Sequence, residues 1–214
     1  PQHQWAINNP DALAEVITVL EEVQDEFNSG FSRGKQVSLA DVIVLAGNVG
    51  VEQAAEEFGV QVSIPFTPGR VDAIEGSANT ASWSVMEPRH DGFRNYMADL
   101  GFMSPSQALI DKADMLNLTV SEMTVLLGGM RAMNANADGS DRGVLTDRPG
   151  VLSNDFFVNL LDMNTAWGPS SEAYVFEGRD RQTGDLKWTA TEFDLVFGSN
   201  SELRAVVEFY AFDE

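Results

Sequence analysis

The side chains that most often carry enzyme chemistry are scarce in this sequence. Its 214 residues include two histidines, His3 and His90, and no cysteine. Without cysteine there is no thiolate nucleophile, no disulfide and no cysteine metal ligand. His90 lies beside Asp91 in the turn-like segment EPRHDGF, where a solvated histidine is expected, and His3 is close to the first residue. Because no serine-hydrolase elbow, zinc-protease motif or phosphate-binding loop is present either, no catalytic residue is predicted from the residues themselves.

One loop partly matches the spacing of a calcium-binding loop. In NANADGSDRGVL, Asn134, Asn136, Asp138 and Gly139 occupy positions that the first ligands and the invariant glycine hold in an EF-hand. The twelfth position requires a bidentate glutamate and is Leu145. Because too little negative charge remains to dehydrate the ion, we interpret the segment as a turn-rich loop and predict no metal site. An acidic cation-binding module stays open as an alternative function.

The charge of the chain restricts its partners. Thirteen basic and 33 acidic residues give a formal net charge of −20. A field of this sign repels phosphate groups, so neither nucleic acid nor an anionic membrane is an expected partner. No apolar run approaches the roughly 20 residues that cross a bilayer, and no signal peptide is recognisable. A cytoplasmic location is therefore expected.

Helical spacing dominates the first third of the chain. Asn9 and Pro10 have the types that start a helix, and a second helix is expected from Ser38 until Gly59 ends it. The second helix is apolar on most of its circumference, which predicts a central, buried position. The first helix is amphipathic, with an apolar stripe at helical spacing formed by Leu13, Val16, Ile17, Leu20, Val23 and Phe27.

The rest of the chain adds further helices and a hairpin. Helices are expected over 93–100, from Ser104-Pro105, from Thr119 with Glu122 in a capping box, from Ser153, and at the end of the chain. AYVFEGRDRQTGDLKWTAT alternates around a Thr-Gly turn and predicts a β-hairpin. The expected architecture is one mainly α domain over 1–214 with a small hairpin.

Several blocks resemble known proteins in both order and spacing. QVSLADVIVLAGNVGVEQAA, PFTPGRVDA, EMTVLLGGMRAMNAN and GVLTDRPGVLSNDFFVNLLDM resemble the plant-type haem peroxidase superfamily. More narrowly, DGFRNY, ALIDKADML, FEGRDRQTGDLKWTAT and DLVFGSNSELRAV are similar to the C-terminal, haem-free half of bifunctional catalase-peroxidases. The resemblance covers nearly the whole chain. It implies a haem-peroxidase-like helical domain, truncated at both ends relative to a full peroxidase domain.

The resemblance also implies where haem would be held. The distal arginine and histidine of peroxidases would lie upstream of Pro1, so neither is assigned. The proximal histidine, which binds iron, is matched by Met130, and the aspartate that orients it is matched by Asp194. Methionine binds haem iron in cytochromes c opposite a histidine, and none is available here. We therefore interpret Met130 as filling space at a vestigial site. The charge of Asp194 would then need a new partner, which is Arg131 or another nearby donor.

The function implied by the resemblance is structural. Catalase-peroxidases disproportionate hydrogen peroxide and oxidise small donors with haem b in their N-terminal half, and the C-terminal half supports that active site and the homodimer. We therefore expect a non-catalytic domain without its own cofactor. Its partners would be the N-terminal haem domain of the same polypeptide and a second copy. A self-contained haem-binding peroxidase with an unusual ligand stays open as an alternative.

Overall fold

The structure is a computed structural model that describes residues 2–30, 34–73, 80–87, 93, 103–136 and 138–212. These residues are mainly helical and include one three-stranded antiparallel sheet, which confirms the mainly α architecture. They pack as two compact units, 1–87 and 88–214, and each unit is described by itself. One domain over 1–214 stays a prediction. The helix expected over 93–100 lies, beyond residue 93, outside the described residues.

The first unit contains two long helices, α1 (Pro10–Gly30) and α2 (Leu39–Phe58), with short 3-10 helices at Gln2–Gln4, Ala6–Asn8 and Thr80–Met86. The predicted ends of α2 are confirmed. Ser38 precedes it and its side chain accepts a hydrogen bond from the Asp41 N–H at 3.1 Å. Gly59 ends it with φ at 100°, a conformation that glycine adopts without steric cost.

The start of α2 is held by the loop that follows the helix. The Asp72 carboxylate accepts hydrogen bonds from the N–H groups of Leu39 (2.8 Å) and Ala40 (2.9 Å), two donors that have no partner within the helix. The Asp41 carboxylate accepts one from the Gly69 N–H at 2.7 Å. This bond from Gly69 holds the pKa of Asp41 below its ordinary value of 3.8. The PFTPGRVDA block is therefore a loop fastened to a helix N-terminus.

The predicted central burial of α2 is wrong. Its buried residues are Asp41, Val42, Ala54 and Ala55. Large apolar side chains elsewhere on the helix, such as Val49, remain about half exposed. Apolar periodicity indicates which face of a helix is apolar, but it does not identify the element that packs against that face.

The second unit contains five described helices and the sheet. The helices are α3 (Pro105–Leu116), α4 (Val120–Ala132), α5 (Asp155–Leu160), α6 (Glu192–Ser199) and α7 (Ser201–Phe212). The predicted starts of α3 and α4 are confirmed, and both carry capping boxes. The cap predicted for α5 is displaced by one residue. Asn154 precedes the helix, while the hydroxyl of Ser153 accepts a hydrogen bond from the Asp155 N–H at 3.3 Å.

The sheet contains the predicted hairpin and one further strand. Strands β2 (Val175–Asp180) and β3 (Leu186–Thr191) form the hairpin, and β1 (Thr165–Pro169) pairs antiparallel with β2 at the edge. The sequence of β1, TAWGP, includes glycine and proline, which weaken the strand signal. Proline at the end of an edge strand removes no inner ladder bond.

The core of the second unit has room only for a glycine at one position of α4. A Cβ atom on Gly128 of α4 would lie 2.3 Å from the ring of Phe157 on α5. Phe157 itself packs edge-on against Phe156 and stacks on Tyr210 of α7. Gly128 thus sets the distance between α4 and α5. The buried apolar side chains of this core are Phe93, Ala108, Leu109, Ala113, Met123, Leu127, Leu145, Phe156, Phe157, Leu160, Phe193, Phe197, Leu203 and Val207.

We expect Gly128→Ala to lower the free energy of unfolding by about 1–3 kcal/mol, because the new methyl group overlaps the Phe157 ring. Gly129→Ala is the matched control. Its Cβ would meet only the tip of the Leu152 side chain at 3.2 Å, and alanine gains about 1 kcal/mol over glycine within a helix. Urea unfolding of the two variants measures the difference. Equal midpoints would contradict a close contact at Gly128.

Candidate functional site

Two charged side chains lie completely buried at the centre of the second unit. Arg131 is in the last turn of α4 and Asp194 in the first turn of α6, and both side chains are 0% exposed. The Arg131 Nε donates a hydrogen bond to the Asp194 Oδ1 at 2.8 Å. Charged side chains are almost never fully buried unless they are paired. Of the donors that the sequence left open for Asp194, the structure shows Arg131 in contact with it.

The second oxygen of Asp194 is held by the start of its own helix. Thr191 directly precedes α6, and its backbone N–H and its hydroxyl both donate to the Asp194 Oδ2 at 2.8 Å. A negative charge at a helix N-terminus is favourable, since the unpaired N–H groups there carry partial positive charge. Both carboxylate oxygens thus have donors from the protein.

Arg131 connects several segments of the second unit. Its Nη1 donates to the Phe93 carbonyl at 2.8 Å and to the Asn136 Oδ1 at 3.3 Å. Removing one partner from a buried pair typically costs about 3–5 kcal/mol, because the other charge stays uncompensated. The pair therefore fixes where α4, residue 93, the loop after α4 and α6 lie.

Met130, at the position matched to the iron ligand, does not share this network. It is half-buried and packs against the hydrophobic core of the unit. The structure places Met130 and Asp194 in the same unit, but Arg131, the next residue along α4, binds the carboxylate. The hydrogen bonds by which an aspartate orients an iron-binding side chain are thus used for Arg131 and Thr191. The vestigial assignment of Met130 and Asp194 stays a prediction.

A glycine of the following loop lies directly against the ion pair. Gly143 has φ at 75°, and its N–H donates to the Thr189 carbonyl of β3 at 2.8 Å. A Cβ atom there would lie 2.6 Å from the Asp194 Oδ1 and 2.7 Å from the Arg131 Nε. The backbone can approach the two charges only because this residue has no side chain.

The same loop contains the residues with calcium-like spacing. The Asp138 carboxylate accepts hydrogen bonds from the backbone N–H and the hydroxyl of Ser140. It also forms an ion pair with Arg142 at 3.1 Å. The Asn136 amide donates to the carbonyls of Ser140 and Arg142 at 2.7 and 2.9 Å. Leu145, at the twelfth position, is fully buried in the core. These contacts are those of a folded turn, in which Asn136 joins the loop to Arg131.

Other candidate groups contribute little to a site. His3 is exposed in the 3-10 helix Gln2–Gln4, and His90 lies outside the described residues. Within the described part of the chain, no three His, Asp or Glu side chains are grouped so that they could hold a metal ion. None of the helices described is both long and apolar enough to cross a membrane.

Comparisons with known proteins match nearly the whole of this chain. A family model described as Peroxidase matches residues 1–213. A catalase-peroxidase of Shewanella woodyi is 58% identical over 99% of this chain, and one of Bradyrhizobium sp. is 56% identical over 99%. A third, from Granulibacter bethesdensis, is 55% identical over 100% of the chain. The chain spans 28–29% of the length of these relatives.

We expect Gly143→Ala to destabilise the second unit strongly, because its methyl group would overlap Asp194 and Arg131. Gly139→Ala is the matched control: it has a similar φ of 69°, but nothing lies within 4 Å of its Cβ. Left-handed backbone alone costs an L-residue about 1–2 kcal/mol. Overlap with the ion pair adds about 1–3 kcal/mol. Chemical unfolding measures both, and equal losses would show that Gly143 does not pack on the charges.

Proposed function

The chain belongs to the peroxidase family, and we propose that it serves as a haem-free C-terminal domain of a catalase-peroxidase, with no catalytic residue of its own. The observation that carries this proposal is the Arg131–Asp194 pair. At the position of an orienting aspartate, the chain has a carboxylate neutralised by a buried arginine. Both oxygens of this carboxylate accept hydrogen bonds from Arg131 and Thr191, so Asp194 is not free to act as a base or to orient an iron ligand.

The residues present do not fit a haem. A proximal ligand needs a second group that orients it and raises its basicity. Asp194 has that position, but its oxygens are bound to Arg131 and Thr191. Gly143 packs so closely against the pair that not even a methyl group fits. Met130, packed against the core, fills space as a flexible apolar side chain does. We therefore derive no chemical step through haem in this chain.

The proposed role is to support catalysis in another part of the polypeptide. The parent enzyme would disproportionate hydrogen peroxide and oxidise small donors with haem b in its N-terminal half. This domain would bind that half more tightly in its competent arrangement and so raise the population of that arrangement. It would also contribute to the homodimer, in the cytoplasm. Most of the length of the relatives lies outside the matched region, which leaves room for such a catalytic half.

The two alternatives make different predictions. A self-contained peroxidase would bind haemin by way of Met130. A cation-binding module built on residues 134–145 would show a melting temperature that rises with calcium concentration, because a ligand that binds only the folded state stabilises it.

A haemin titration followed by the Soret band tests the proposal. We expect no saturable one-to-one transition, because Asp194 cannot orient a ligand while it binds Arg131. Met130→Ala should titrate like the wild type. Met163→Ala, at a methionine that is 75% exposed, controls for nonspecific contacts of haem with sulfur. A stoichiometric transition that Met130→Ala abolishes and Met163→Ala retains would overturn the proposal.

A further inference from the structure

A cavity of about 300 Å³ opens on the second unit and is lined by residues from the end of α5, strand β1 and helices α6 and α7. This volume lies at the lower end of the range for small-molecule sites, about 300–1,000 Å³. Such sites combine a mainly apolar wall with a few polar groups that fix the orientation of the ligand. The apolar wall of this cavity is formed by Leu160, Leu161, Met163, Trp167 and Leu195.

Arg181, directly after β2, lines the cavity and supplies a positive charge. Its Nε donates a hydrogen bond to the carbonyl of Met163, a residue of the wall, at 2.8 Å. Among the described residues, no carboxylate lies within ion-pair distance of Arg181, and no acceptor binds its Nη groups. The side chain is therefore anchored beside the cavity by one donor, while its other donors can bind a ligand. A guanidinium group binds a carboxylate through two parallel hydrogen bonds.

Arg204 of α7 adds a second guanidinium group to the same cavity. Its Nη1 donates to the carbonyl of Gly198, another lining residue, at 3.2 Å. Its Nε pairs with Glu208 at 2.9 Å, but the two side chains are 45% and 47% exposed, and exposed pairs of this kind contribute little. Both guanidinium groups are thus held by backbone carbonyls of the cavity, which reduces the cost of ordering them around a ligand.

Asp162 also lines the cavity, but its charge is neutralised by the protein. Its Oδ2 binds the Lys187 Nζ at 2.9 Å and the Thr165 hydroxyl at 3.2 Å, and its Oδ1 accepts from the Asn164 N–H at 2.9 Å. At physiological ionic strength the Debye length is about 8 Å, so charges at the cavity outweigh more distant carboxylates of this acidic chain. A cavity with two guanidinium groups and an apolar wall therefore favours an anion with an apolar body.

We propose that this cavity is a binding site for a small carboxylic acid with an aromatic or branched aliphatic body. The carboxylate accepts hydrogen bonds from Arg181 and Arg204, and the body packs against Trp167 and the leucines of the wall. The inference uses contacts within the second unit alone. It therefore goes beyond the proposed function and does not depend on it.

A titration of the isotope-labelled chain with phenylacetate tests the site. The indole N–H signal of Trp167, assigned with Trp167→Phe, reports on the cavity by NMR, and that of Trp5 in the first unit serves as the control. We expect a saturable shift of the Trp167 signal alone, with a dissociation constant on the order of 1 mM for so small a ligand. Phenylacetamide has the same body without the charge. It should bind about tenfold more weakly, because the charge-assisted hydrogen bonds are lost.

Three arginine variants identify the groups that bind the carboxylate. Arg181→Gln should raise the dissociation constant of phenylacetate about tenfold and leave that of phenylacetamide unchanged. Arg204→Gln should raise it severalfold, because its guanidinium group is shared with Glu208. Arg179→Gln is the matched control, since it removes the same charge from a side chain that pairs with Glu177 and does not line the cavity. This control should bind phenylacetate like the wild type.

Three results of the titration would contradict the inference. An unmoved Trp167 signal at about 20 mM phenylacetate would mean that the cavity binds no such acid. Equal affinity for phenylacetate and phenylacetamide would mean that the charge is not recognised. Equal weakening by Arg181→Gln and Arg179→Gln would identify the general charge of the surface, and not the cavity, as the cause.

A full-length chimaera distinguishes a free acid from a carboxylate of the protein. Residues 1–214 replace the matched region of the Shewanella woodyi catalase-peroxidase, and saturation-transfer NMR measures phenylacetate binding. We expect the chimaera to bind phenylacetate as the isolated chain does, and to lose about tenfold in affinity with Arg181→Gln. Loss of binding in the unmodified chimaera would mean that polypeptide outside residues 1–214 occupies the cavity. That result would overturn the assignment of a small-molecule ligand.

Discussion

A salt bridge between two fully buried side chains is the constraint on which the second unit depends. Arg131 and Asp194 are far apart in sequence and meet at 2.8 Å with both side chains fully buried. Two charges can stay in such a place only if each has its hydrogen bonds satisfied. Thr191 and Asn136 supply part of that requirement, and through them the pair determines how α6 begins and how the loop after α4 returns.

Close packing at two glycines is a second feature of this unit. Gly143 brings backbone against the two charges, and Gly128 brings α4 against the ring of Phe157. At each glycine, a neighbouring segment occupies the space that a side chain would need. The first unit differs, because large apolar side chains on its long helices, such as Val16 and Val49, are about half exposed. The second unit thus packs around a neutralised ion pair, whereas the first unit leaves apolar side chains exposed to solvent.

Much of this could be read from the sequence, for physical reasons that differ by element. The helix starts at Ser38, Ser104 and Thr119 follow from side chains that bind the first N–H groups, which is local chemistry. The need for a partner of Asp194 could be predicted from the cost of burying a charge, but the sequence left open whether Arg131 or another donor supplies it. The contact of Gly143 with Asp194 and Arg131 could not be predicted from the sequence, because it joins residues that are distant in sequence. Its only local sign is a glycine in a polar loop. The central burial predicted for α2 is wrong because the apolar content of a helix does not specify which other element packs against it.

A double-mutant cycle between Arg131 and Asp194 tests the account most directly. Arg131→Met, Asp194→Asn and the double variant are unfolded with urea, and the coupling energy is taken from the four free energies. Each single change leaves a buried group without its partner, whereas the double change removes the charge of both. The account predicts a coupling of about 2 kcal/mol or more, with the double variant no less stable than the weaker single one. A coupling below about 0.5 kcal/mol would contradict it, because the two side chains would then contribute independently.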